Sequence, residues 1–148
     1  MINEQTIIDR LKETAPFFNG NVVGIASFNP EVEATRLILP AAFVGRDFGE
    51  AAESGSLGRA TQIWNEYYSI LVCVSNAGDT LGEQASGDIR PAIQALFTSL
   101  VGWRPDAVGD EEYNAMDYVR DDPISQDRGR IYHQVTFKTS SAITGPNA

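Results

Sequence analysis

Residues Thr61 to Ser75, TQIWNEYYSILVCVS, form the strongest β signal of the chain. Trp64, Tyr67, Tyr68, Ile70, Leu71, Val72 and Val74 are aromatic or aliphatic, the types that suit a pleated, half-buried surface. At about 3.3 Å per residue such a strand reaches roughly 45 to 50 Å, longer than one small core requires. Part of it must therefore project. The segment ahead of it, Arg36 to Arg46 (RLILPAAFVGR), is also strand-like, but Pro40 cannot donate a ladder hydrogen bond and demands an edge position or a bulge nearby. Between the two runs, Asp47 to Ala60 holds Gly49, Gly55 and Gly58 among small and acidic residues without a sustained period, and reads as a long loop. The two strands then make a long hairpin with a glycine-rich tip. Tyr67 and Tyr68 point to opposite faces of their strand, so at least one of them faces away from the helices, where it could meet another subunit.

Two helices frame this hairpin. Ile7, Ile8, Leu11 and Ala15 fall on one helical face, with Asn3 as N-cap and Pro16 as the stop. Ile89, Ile93, Leu96, Phe97 and Leu100 recur at spacings of three and four. Ser86 or Asp88 can cap that helix, Pro91 is tolerated in its first turn, and Gly102 ends it. Val22, Val23 and Ile25 read as a short strand, and Met116 to Arg120 as another. Arg130 to Ser140 is a clear strand with Ile131, His133, Val135 and Phe137 on one face and Tyr132, Gln134, Thr136 and Lys138 on the other. The tail from Ala142 to Ala148 reads as frayed. The order helix, three strands, helix, two strands implies an α+β fold, a single mixed or antiparallel sheet with both helices packed on one face. Ile7, Leu11, Ile70, Val72, Ile93, Leu96, Phe97, Val135 and Phe137 are the expected core.

A chain of 148 residues buries roughly 70% of its unfolded surface, enough for one hydrophobic core, so residues 1–148 are expected to be a single domain. The apolar runs fall far short of the roughly 20 residues that a membrane helix needs. The amino-terminal MINEQTIIDRLKE carries acids early and shows no secretory pattern. Cys73 lies alone in an apolar run and reads as an inert core thiol, with a reducing cytoplasm as the default compartment. The net charge of −9 disfavours docking on nucleic-acid phosphate or anionic lipid. An acidic surface would equally suit solubility or a passage that DNA must slide through without sticking.

Catalytic chemistry finds little support in the residue inventory. His133 is the only histidine and sits mid-strand between apolar neighbours, where a structural role fits better than that of a base. One Cys and one His cannot make a zinc site. The glycines at 49, 55 and 58 lack the spacing and the lysine of a phosphate loop. Asp121, Asp122 and Asp127 lack the ligand string of a calcium loop and read as turn or edge residues. Convergence of these three with Glu66 in one pocket would be the sign of an enzyme. No catalytic residue, metal ligand or cofactor is assigned, and the chain reads as a protein that binds other proteins.

Five segments together resemble the tail terminator, or tail completion, proteins of long-tailed, Mu-like bacteriophages. They are an amino-terminal helix ending near APFF, LILPAAFVGRD ahead of the loop, QIWNEYYSILVCVSN, DIRPAIQALFTSLVGW and RIYHQVTFKTS. The resemblance implies a fold similar to tail-tube subunits and a structural role without catalysis. It further implies a homo-oligomeric ring, a hexamer, on the head-proximal end of the tail tube of a siphovirus or myovirus. The ring would stop tube polymerisation and join the head connector, in the virion's tail or neck after assembly in the host cytoplasm. DNA would pass through it without specific binding. Under that reading the protein interface is expected at Arg46, Asp47, Phe48, Glu50, Glu53, Leu57, Arg59, Trp64 and Tyr68. Candidates to line the DNA channel are Asp47, Glu50, Glu53, Asp110, Glu111 and Glu112. Another neck, connector or baseplate component, or a protein-binding domain unconnected with phages, is the competing reading.

Overall fold

The computed structural model describes residues 1–27, 39–52, 61–75, 85–109, 111–127 and 129–144. Helix α1 spans Glu4–Thr14, and the Asn3 side chain caps it by accepting from the Gln5 N–H. Its apolar stripe buries Ile7, Ile8 and Leu11. Strands follow at Val22–Gly24 (β1), Ala41–Ala51 (β2) and Thr61–Ser75 (β3), then helix α2 at Ala85–Leu100 and strands β4 at Asp117–Asp127 and β5 at Arg130–Thr144. They form one sheet in the order β1-β2-β3-β5-β4. Only the β1–β2 pairing is parallel, so the sheet is mixed.

Side-chain alternation divides the sheet's two faces. On the covered face Tyr68, Ile70 and Val72 of β3 and Val135 and Phe137 of β5 are fully buried, in one apolar cluster with Leu11 of α1 and Leu96 and Leu100 of α2. The expected core is thus in place, with Ile93 and Phe97 partly buried at its margin. The helices are tied to each other by Arg10, whose Nε donates to the Ser99 carbonyl at 3.0 Å, and by a hydroxyl contact between Thr14 and Ser99. Gly102 terminates α2 at φ +81°, a left-handed conformation that favours glycine.

Several boundaries differ from the sequence reading. Helix α2 begins at Ala85, so Ser86 and Asp88 lie inside it rather than at its cap, and Pro91 is interior. One lost backbone hydrogen bond is outweighed there by the burial of Ala92, Leu96 and Leu100. The loop expected from Asp47 to Ala60 is a strand as far as Ala51, because pairing with Trp64 to Tyr67 supplies its hydrogen bonds. Residues 53–60, with Gly55 and Gly58, lie outside the described residues. The bulge falls between Arg46 and Phe48, not at Pro40, which precedes the strand. Strand β4 runs on past Arg120 to Asp127, and β5 past Ser140 to Thr144, since Thr61 to Asn65 of β3 offer partners for the segment read as tail. Residues 145–148 are outside the described set. The distal ends of β2, β3 and β5 are therefore paired as a three-stranded arm, which a bridge between Tyr113 and Ser141 ties to the segment before β4.

Candidate interaction surface

The distal arm begins at the bulge. There Asp47 is the extra residue, Arg46 pairs with Tyr68, and Phe48 pairs with Tyr67. On the face away from α1 and α2 the Phe48 and Tyr67 rings stack, with centroids 4.4 Å apart and planes 17° from parallel. Tyr67 Oη donates to Glu50 Oε1 at 2.9 Å, and Ser69 Oγ donates to Asp47 Oδ2 at 3.1 Å. The Glu50 carboxylate, as acceptor, pushes the Tyr67 phenol above its ordinary pKa. Phe48 remains 45% exposed despite the stack, and Ile63 39%. Next to them a shallow groove of about 320 Å³ runs between Ile25, Leu71 and Ile124, with Asp47, Ser69 and Gln134 along its sides.

The opposite face of the arm is polar and closed. Glu66 is fully buried; its Oε1 lies 3.4 Å from Arg46 Nε, and its Oε2 has no partner among the described residues. Arg46 also lies over the Trp64 ring, 5.9 Å from its centroid. The indole itself fills the place a side chain at Gly49 would need, since a Cβ there would stand 2.3 Å from Trp64 Nε1. Any larger residue at 49 would expel the tryptophan. The amino terminus and the segment before β4 complete the cover: Tyr68 Oη donates to the Ile2 carbonyl at 2.9 Å, and the Asn114 N–H to the Ser140 carbonyl.

This geometry sorts the expected interface residues. Asp47, Phe48 and Glu50 stand together on the side of the arm away from α1 and α2. Trp64 is half-buried on the other side. Tyr68 is 0% exposed and offers nothing to another subunit, a correction that follows from its sharing strand parity with Ile70 and Val72. Tyr67 is the tyrosine that faces away from the helices. Glu53, Leu57, Arg59 and Asp110 lie outside the described residues. Glu111 and Glu112 lie in the segment before β4. Glu111 pairs with the Met1 ammonium and accepts from Tyr113 Oη at 2.6 Å, contacts that, the ammonium first, hold its carboxyl below the ordinary range, while Glu112 is exposed.

The titratable groups elsewhere are dispersed. Asp121 accepts from the Tyr118 hydroxyl, and its Oδ2 lies 2.6 Å from His133 Nε2. Those contacts, Tyr118 first, lower the Asp121 pKa, and the Tyr118 phenol is pushed up to about 12 by the carboxylate it serves. Asp121 pairs with Val135 and Glu66 with Thr139, four positions apart along β5, or about 13 Å. Asp122 faces the other side of the sheet. Asp121, Asp122 and Glu66 do not converge, the Asp127 side chain lies outside what the structure describes, and among the described residues no cluster of three or more His, Cys, Asp or Glu is placed to hold a metal. Cys73 is fully buried, which pushes its thiol up to about 11 and leaves it unreactive.

A sequence reading passed over Ile25, Ile124 and the burial of Glu66. Glu66 had a usable signal in its parity with Tyr68; the two isoleucines had none, because a 3-10 turn and a second bulge aim them.

A family model described as phage tail terminator protein matches residues 1–147. No curated protein matches the chain. Among solved structures, a chain of an assembly titled "Virion of native gene transfer agent (GTA) particle" is similar in fold, with a TM-score of 0.59 at 12% identity, over 95% of this chain and 94% of that one.

Proposed function

Because the chain belongs to the phage tail terminator family, we propose that it is a structural virion protein that caps the head-proximal end of the tail tube as a homo-oligomeric ring, a hexamer. The ring ends tube polymerisation and presents the surface that joins the head connector. The family match over residues 1–147 carries this reading, and the exposed Phe48 and Ile63 on the three-stranded arm are the feature of this chain that suits it. A head-to-tail contact that does not close builds a tube, whereas a ring complementary to the tube on one face only ends it. An arm of paired strands keeps its contact residues in fixed register, as docking on a repeating lattice requires.

In this proposal Arg46, Asp47, Phe48, Glu50, Glu53, Leu57, Arg59 and Trp64 contribute to contacts with the neighbouring subunit or the tube. Acidic residues among Asp47, Glu50, Glu53, Asp110, Glu111 and Glu112 face the DNA passage, where repulsion from phosphate keeps the genome moving. No catalytic step is part of the proposal. Complementation of a phage that lacks this protein is the test. Phe48→Ser should give overlong tails or separate heads and tails in electron micrographs, and normal particles would refute the arm's role. Lysine at channel-facing acids should slow DNA ejection most at low salt, since charges reach only about 10 Å at 0.1 M. Ejection indifferent to them would reduce the net charge to a matter of solubility.

A further inference from the structure

We propose that the outer edge of β2 from Asp47 to Ala51 accepts an extended segment of a different protein as an added strand, and that this segment carries basic side chains. The inference deepens the interface role proposed for the arm and rests on it.

The sheet's two sides are built differently at their margins. On one side the edge strand β4 carries the devices that prevent pairing. Register shifts fall between Tyr118 and Arg120 and between Pro123 and Ser125. Pro123 has no N–H to offer, and Arg120 pairs with Asp122 at 3.2 Å along the rim. On the other side β1 is three residues long and covers β2 only at Ala42 to Val44. At Arg46, where β1 has ended, the backbone N–H points away from β3 and donates to Glu4 Oε1 at 3.0 Å. A helix side chain stands there in place of a strand's carbonyl. Beyond Arg46 the substitution stops: among the described residues, no strand or side chain pairs with the outward backbone of Asp47 to Ala51. Five residues of open edge are about 17 Å, the length of an ordinary strand.

The side chains around this edge choose the occupant. Asp47 and Glu50 put two carboxylates beside it, and the Phe48–Tyr67 stack provides an apolar platform between them. A second copy presenting the same edge, paired antiparallel about Gly49, would set Glu50 opposite Phe48 and the two Glu50 carboxylates diagonal to each other, gathering four carboxylates along one seam with no cation from either edge segment. A second copy presenting β4 would bring bulges and Pro123. A segment alternating Lys with Val or Thr puts all its lysines on the face of Asp47, Phe48 and Glu50, where their methylene stems lie on the Phe48–Tyr67 rings and their ammonium groups reach the carboxylates, while its backbone pairs with the edge.

The test titrates the isotope-labelled full chain with an eight-residue synthetic peptide alternating Lys with Val and Thr, by NMR. Shifts and slowed amide exchange confined to Asp47–Ala51 and its β3 partners are expected. Two peptides N-methylated at alternate backbone positions, one in each phase, should differ, one of them binding at least tenfold more weakly. A Glu-for-Lys peptide should bind weakly to the parent chain and better to Glu50→Lys, with Glu50→Gln as the milder variant. Absence of binding at millimolar peptide, equal tolerance of both methylation patterns, or self-association of the chain through 47–51 in light scattering would each overturn the proposal. Normal tails from Phe48→Ser would instead strike the interface reading on which it rests.

Discussion

Along β3, Ile70 and Val72 lie fully buried beneath two helices, while Glu66 is as deeply buried among polar groups and Ile63 stands 39% exposed. One strand thus passes through two environments. In the proximal half burial is apolar and contributes stability in proportion to area, about 25 cal/mol per Å². In the distal half burial encloses a carboxylate with one weakly bonded oxygen, and the opposite face carries aromatic surface to solvent. The proximal half stabilises the fold, and the distal half holds a surface in position. The bulge between Arg46 and Phe48 marks the change on β2.

The sharpest way to break this division is to truncate the proximal core. Leu96→Ala should cost about 2 to 5 kcal/mol in chemical denaturation, because Leu96 is fully buried between α2 and the sheet. A near-neutral result would show that the helix contributes less than its packing suggests. Next in size, Arg46→Met should cost about 2 to 3 kcal/mol, since it leaves the Glu66 carboxylate without the one charged partner it has among the described residues. If Glu66→Gln in that background does not recover part of the loss, the pair is not the source.

A smaller effect concerns β4. The Asp121 pKa is lowered in the folded chain from an ordinary value of 3.8. Its contribution is therefore fully present above that value and lost as pH falls through the lowered one. Melting temperature should fall less steeply below pH 4 in Asp121→Asn than in the parent; parallel acid limbs would remove Asp121 from the account. The smallest expected effect is the most informative. Phe48→Ser should change the stability of the isolated chain by no more than about 0.5 kcal/mol, although the same substitution is expected to abolish tail termination. A large loss of stability would place Phe48 in the core economy and erase the contrast.

Local chemistry made much of the fold legible. The Asn3 cap, the spacing of Ile7, Ile8 and Leu11, the stop at Gly102 and the alternation of β5 each follow from neighbours in sequence. Helix periodicity and strand parity are properties of a few consecutive residues, so residue types alone determined them. The sequence also carried the family resemblance and the acidic balance.

The remaining features depend on partners distant along the chain. Asp47 to Ala51 looked like loop because nothing local favours a strand there; β3 supplies the hydrogen bonds. The shared parity of Glu66, Tyr68 and Ile70 was readable locally, but that Arg46 meets the Glu66 carboxylate and the Ile2 carbonyl takes the Tyr68 hydroxyl was not. Which edge of the sheet lies open was likewise invisible, since it depends on where β1 ends against β2 and on bulges set by cross-strand register. A residue's type fixes what it can bond to, and the folded chain fixes whether a partner arrives.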